Sequence, residues 1–215
     1  MNRHPILVSL AAVLTVVGSV WFTWQRHFRA PDFSVPLHES VGSVLATELQ
    51  RELRGPGEVL VLTLDDGASP ILATQLAAFR AALAKSPQLR IGRVVALESD
   101  KKGKYGPGSG LSSGKLAREI AKFPQAIAVV SLVGLPSLDD IELTAMGSVR
   151  PPLFGVCRDR RKLETLARHQ WLRAAIVPRF EFPAPGPEEP RLPREWFDRQ
   201  FQIVTAAEPA ASASR

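Results

Sequence analysis

The sequence predicts an α/β fold: a three-layer sandwich on a mostly parallel five- or six-stranded sheet, Rossmann-like or flavodoxin-like, preceded by one transmembrane helix. Three observations predict it. From residue 39 onward, short apolar runs alternate with stretches of helical periodicity. The run Val59-Leu60-Val61-Leu62-Thr63-Leu64 is apolar almost throughout, as a strand covered on both faces must be. Finally, Ile6 to Trp24 carries no charge over nineteen residues and is bracketed by Arg3, His4, Arg26, His27 and Arg29.

At 1.5 Å of rise per residue that stretch is roughly 28 Å long, near the thickness of a hydrocarbon core. Trp21, Phe22 and Trp24 stand where an interfacial belt belongs. A cleaved signal peptide wants a shorter apolar run and small residues at its end, whereas Val20-Trp21-Phe22-Thr23-Trp24 is bulky. Residues 1–29 are therefore expected to form an uncleaved signal-anchor embedded in the lipid bilayer through residues 6–24. The short N-terminus is expected in the cytoplasm and the following domain on the non-cytoplasmic side, periplasmic in a bacterium.

Residues 30–38 hold prolines without periodicity and are expected to be a spacer. Val41, Val44, Leu45, Leu49 and Leu53 recur at three and four residues and predict a helix from Glu39 to Leu53, which Gly55-Pro56-Gly57 breaks. A strand over Glu58–Leu64 follows. Ser69 is expected to cap, and Pro70 to open, a helix over Ile71–Lys85. The rhythm continues with a strand at Leu89–Leu97, a helix at Gly114–Lys122 and a strand at Ala126–Leu132. A short helix follows over Leu138–Met146, with Ser137 and Asp140 as its capping box. A strand at Leu153–Cys157, a helix at Arg160–His169 and a strand at Leu172–Val177 complete the alternation. After a proline-rich excursion over 183–193, Phe201–Thr205 is a candidate sixth strand. The α/β domain thus spans 39–205, and the Ala- and Ser-rich residues 206–215 have nothing to bury.

Composition excludes more than it selects. Net charge is +6, but residues 1–29 contribute three Arg and no acid. The remaining cations lack the interleaved aromatics on which single strands stack, so no nucleic acid is expected. One cysteine, Cys157, permits no internal disulfide.

Open parallel sheets bind ligands beyond the carboxyl ends of their strands. That rule selects Asp65, Asp66 and Ser69 after the first strand, Gly134 after the third, and Arg158 and Asp159 after the fourth as candidate ligand-binding residues. No catalytic residue, metal site or cofactor is assigned. Gly106 to Lys115 imitates a phosphate loop, but Ser109 stands where its first Gly belongs and Leu116 where its Ser or Thr belongs. Thr63-Leu64-Asp65-Asp66-Gly67 resembles the strand-end motif of polysaccharide deacetylases, which also needs a histidine pair. His4, His27, His38 and His169 form none, which removes that zinc chemistry.

The helix before Gly57-Glu58-Val59-Leu60-Val61-Leu62, the alternating units, and Ala128-Val129-Val130-Ser131-Leu132-Val133-Gly134-Leu135-Pro136 resemble one lobe of the sugar-type periplasmic binding proteins. The resemblance covers residues 39–182 and implies a small ligand held by strand-end loops, with the second lobe missing. Together these readings lead to a membrane-tethered interaction or small-ligand recognition domain, more a binder than an enzyme. Its expected partner is an envelope protein or a small polar ligand. The alternative is a membrane-bound hydrolase or transferase using strand-end carboxylates among Asp65, Asp66, Glu98, Asp100 and Asp159.

Overall fold

A computed structural model describes residues 15–19, 21, 34–64, 69–97, 113–136, 138–146, 150–157, 161–179 and 190–205. The chain divides into two units, Met1–Ser34 and Val35–Arg215. In the first, Thr15–Ser19 and Trp21 are helical, with Val16, Val17 and Trp21 exposed. The rest of the expected anchor lies outside the described residues. Among the described residues no helix is long and apolar enough to cross a membrane. This corrects the expected transmembrane helix and, with it, the bilayer as partner and the single-pass topology. Of the run 6–24 the described residues are Thr15–Ser19 and Trp21, far short of the roughly twenty helical residues that a span requires.

In the second unit the described elements run α1 (Val35–Glu52), β1 (Gly57–Leu64), α2 (Pro70–Leu83), β2 (Leu89–Leu97), α3 (Ser113–Ala121), β3 (Ala126–Ser131), α4 (Asp140–Ala145), β4 (Leu153–Val156), α5 (Arg161–Arg168), β5 (Leu172–Pro178), α6 (Pro193–Gln200) and β6 (Phe201–Thr205). The strands form one sheet in the order β2-β1-β3-β4-β5-β6. β1 to β5 are mutually parallel, and β6 returns antiparallel to β5. The candidate sixth strand is thus present. It runs antiparallel to β5 and follows directly on α6, a helix not expected from the sequence.

Right-handed crossovers fix the layers. α2 carries the chain from β1 to the β2 edge, whereas α3, α4 and α5 serve steps in the opposite direction, so α2 lies on one face and those three on the other. α1 packs against α2 and α6 and touches β4 and β5, which completes the α2, α1, α6 layer. α1 starts at Val35, four residues ahead of the expected Glu39, because Leu37 and Ser40 are already buried in its first turns. Central strands are covered on both sides: Val59 to Leu62 and Ala128 to Val130 are wholly inaccessible. Burying such a side chain contributes about 1.5–3 kcal/mol each, so these two strands anchor the core.

Two glycines permit close approach. A Cβ on Gly42 of α1 would run into the backbone of Gln75 and Phe79 on α2. A Cβ on Gly155 of β4 would meet the Ser131 carbonyl oxygen at 2.8 Å and a Leu135 methyl at 2.7 Å, so the chain leaving β3 folds back tightly over its neighbour.

Candidate functional site

Strand order reverses between β1 and β3, since their outer neighbours β2 and β4 are reached in opposite directions. Such a switch point opens a crevice at the carboxyl ends of the two strands. Of the six candidate residues, the structure describes Ser69 and Gly134. Asp65, Asp66, Arg158 and Asp159 lie outside the described residues.

At the end of β3, Ser131 is fully buried and its hydroxyl donates to the Gly134 carbonyl oxygen at 2.5 Å. Gly134 takes φ 102°, a backbone region that side-chain-bearing residues resist. The Leu132 amide meanwhile donates to the Leu62 carbonyl at 3.0 Å, tying the turn to β1. Leu132, Val133 and Leu135 are buried, so this strand end is an apolar plug with a fixed backbone. In the sequence Ser131 stands within an apolar run that hides its role. A hydroxyl in the last position of a buried strand, three residues before a glycine, is the signal that marks it.

Ser69 is half-buried ahead of α2 at φ −98°, ψ 89°. Its side chain makes no capping hydrogen bond, contrary to the expectation. Its carbonyl accepts from the Ala73 amide at 3.2 Å instead, and Pro70 supplies the first helical position without needing a cap for its own nitrogen. At the end of β5, Arg179 donates from Nε to the Phe201 carbonyl at 2.8 Å, which spends this cation on the β5–β6 junction.

α4 is capped by Asp139 and Glu142, not by Ser137 and Asp140: the Glu142 amide donates to Asp139 at 2.7 Å and the Asp139 amide to Glu142 at 3.2 Å. Ser137 lies outside the described residues. Asp140 is thereby released to pair with His169 at 2.7 Å and with Arg168 at 3.7 Å. The hydrogen bond from His169 and the positive charge of Arg168 hold the Asp140 carboxyl below its ordinary value. His169 therefore bridges the end of α5 and the start of α4.

Among the described residues no group of three or more His, Cys, Asp or Glu is placed to hold a metal ion. The carboxylates invoked for a hydrolase or transferase, Asp65, Asp66, Glu98, Asp100 and Asp159, lie outside the described residues. The alternative of a membrane-bound enzyme is corrected as to its span, since no helix among the described residues is long and apolar enough to cross a membrane.

No family model matches the sequence, and no curated protein matches it. Solved structures match by shape. A solute-binding protein from Burkholderia graminis, solved in complex with D-arabinose, superposes with TM-score 0.56 at 14% identity over 81% of this chain and 61% of its own. A carbohydrate transporter solute-binding protein from Agrobacterium radiobacter, also with D-arabinose, gives 0.53 at 14% over 81% and 61%. A sugar-binding protein of a Bacillus halodurans transporter gives 0.53 at 16% over 80% and 62%. The chain spans less than two thirds of each. At such identity the likeness establishes the fold, an α/β domain of partial resemblance to the sugar-binding proteins of transporters.

Proposed function

We propose that residues 35–205 form a recognition domain for a small polar ligand, corresponding to one lobe of the sugar-binding fold. The single observation that carries this reading is the strand order, whose reversal between β1 and β3 opens a crevice at the strand ends. The fold likeness to proteins solved with D-arabinose supports it. Ser69 follows the β1 end ahead of α2 with a side chain that makes no capping hydrogen bond, which would leave its hydroxyl for a ligand, and the buried turn at Gly134 holds the β3 end in place. Asp65, Asp66, Arg158 and Asp159, which follow β1 and β4 in sequence, would supply charged hydrogen-bonding groups for hydroxyls.

The test is calorimetric titration of the protein with a panel of pentoses and hexoses, followed by the Asp65→Asn and Asp66→Asn double variant. Asn keeps the shape and removes the charge, so a bound polyol is expected to lose about ten-fold in affinity or more, with circular dichroism unchanged. Saturable binding that the double variant leaves intact would move the site away from the β1 end. Absence of heat across the panel would end the sugar-like reading.

A further inference from the structure

β2 is an edge strand: among the described residues it pairs with β1 alone. A nine-residue edge presents unpaired amides and carbonyls to any extended chain that meets them. The pairing register gives this edge a chemical character. Glu58 of β1 stands opposite Arg90, Val59 opposite Ile91, and Leu60 opposite Arg93, so Gly92 is an extra residue in β2. Because side chains alternate along a strand, Arg90 and Arg93 would face opposite ways in a regular β2. The bulge at Gly92 cancels that alternation and brings both arginines onto one face, opposite β1 positions two residues and roughly 7 Å apart. A side chain at Gly92 would collide with Phe123 at 2.5 Å and with Glu58 at 2.8 Å, so only glycine keeps this register.

The two cations are unequally neutralised. Arg90 reaches one oxygen of Glu58, from Nη2 at 2.6 Å and Nε at 2.9 Å, with a side chain that is 78% exposed. Arg93 is exposed and, among the described residues, has no partner. Beside Arg90 a cleft of about 470 Å³ opens between the turns at Pro56 and Pro87, whose prolines give it stiff walls. It lies at the amino end of the sheet, opposite the strand-end crevice.

We infer that the free edge of β2 is a docking site for an extended acidic peptide carrying carboxylates at positions i and i+2. In a strand those two side chains share a face at the spacing of Arg90 and Arg93, and the peptide backbone continues the sheet. A residue flanking the acidic pair enters the Pro56–Pro87 cleft. A second copy of this chain is the poorer occupant, because two-fold pairing of β2 with itself gathers four arginines on one face.

The probe is a fluorescein-labelled, end-capped peptide of sequence Thr-Thr-Glu-Val-Glu-Thr-Thr, titrated with the full chain at low salt and read by anisotropy. Saturable binding is expected, weakened about ten-fold or more by Gln in place of both Glu and by the Arg90→Gln/Arg93→Gln variant. Moving the two Glu to adjacent positions is expected to weaken it as well, since one carboxylate then points away. Amide exchange should slow selectively over residues 89–95 on binding. Both arginines are surface residues, and unchanged circular dichroism verifies the fold. Equal affinity for the Gln peptide, no effect of the arginine variant, or no binding at millimolar peptide overturns the inference. So does a dimer in sedimentation that the same variant dissociates, which would assign the edge to a second copy.

Discussion

Single residues decide how closely the elements of this domain approach. Gly42 is the sharpest case, because what a Cβ there would strike is the backbone of α2, and backbone cannot rotate aside. Gly42→Ala should therefore force α1 and α2 apart and destabilise the domain by about 1–3 kcal/mol, toward the upper end, measured as a lower midpoint in urea. At Gly134 the obstacle is conformational: φ 102° strains any residue with a side chain. Gly134→Ala is expected to cost roughly 1–3 kcal/mol, while Gly114→Ala, whose Cβ would meet nothing within 4 Å, serves as the tolerant control. Equal denaturation midpoints for the two variants would contradict the strain argument.

Asp140 makes a pH-dependent contribution whose sign follows from its lowered pKa, caused first by the His169 hydrogen bond and then by the charge of Arg168. A depressed carboxyl stabilises the fold above its unfolded value, near 3.8, and loses that contribution as pH falls through the lower folded value. Asp140→Asn should thus be less stable than the native chain at pH 6, with the gap closing as pH drops below 4. A gap that widens on acidification would reverse the assignment.

At the scale of elements, α4 shows how a six-residue helix survives. It is too short to hold itself, and the reciprocal Asp139 and Glu142 bonds satisfy the amides its first turn would otherwise leave open. Asp139→Ala is expected to cost about 1 kcal/mol and to speed amide exchange in α4 while leaving the strands protected. α6 reaches the same end by other means: Glu195 accepts from the Arg191 amide at 2.8 Å and the Leu192 amide at 3.2 Å, which lowers its pKa. In the sequence α6 is masked by the proline-rich segment before it. Pro193 is in fact its first residue, where proline favours a helix start.

For the whole domain, the buried strands and the α2, α1, α6 layer form a closed core from Val35 onward. A fragment of residues 35–205 should fold by itself and give dispersed amide signals, whereas one starting at Ser40 should be less stable because it loses Leu37 from the buried face of α1. Collapsed signals from the longer fragment would deny the domain its independence.

The alternation of strands and helices is legible in the chain's own pattern. Val59 to Leu62 and Ala126 to Val130 are apolar without a break and rich in Val, and short runs of that kind fit strands covered on both faces. The period of α1 was equally legible, because one face of it must be apolar to sit on the sheet. What the tertiary structure decided are matters of pairing, in which each partner is remote in sequence. The β2-β1-β3-β4-β5-β6 order, the antiparallel return of β6, the bulge that aligns Arg90 with Arg93, the fold of Ser131 onto Gly134 and the Asp140–His169 bridge belong to this class. The expected membrane span is corrected by the described residues, among which no helix is long and apolar enough to cross a membrane. Local pattern specifies which elements form; register, handedness and long-range packing choose what those elements present to a ligand.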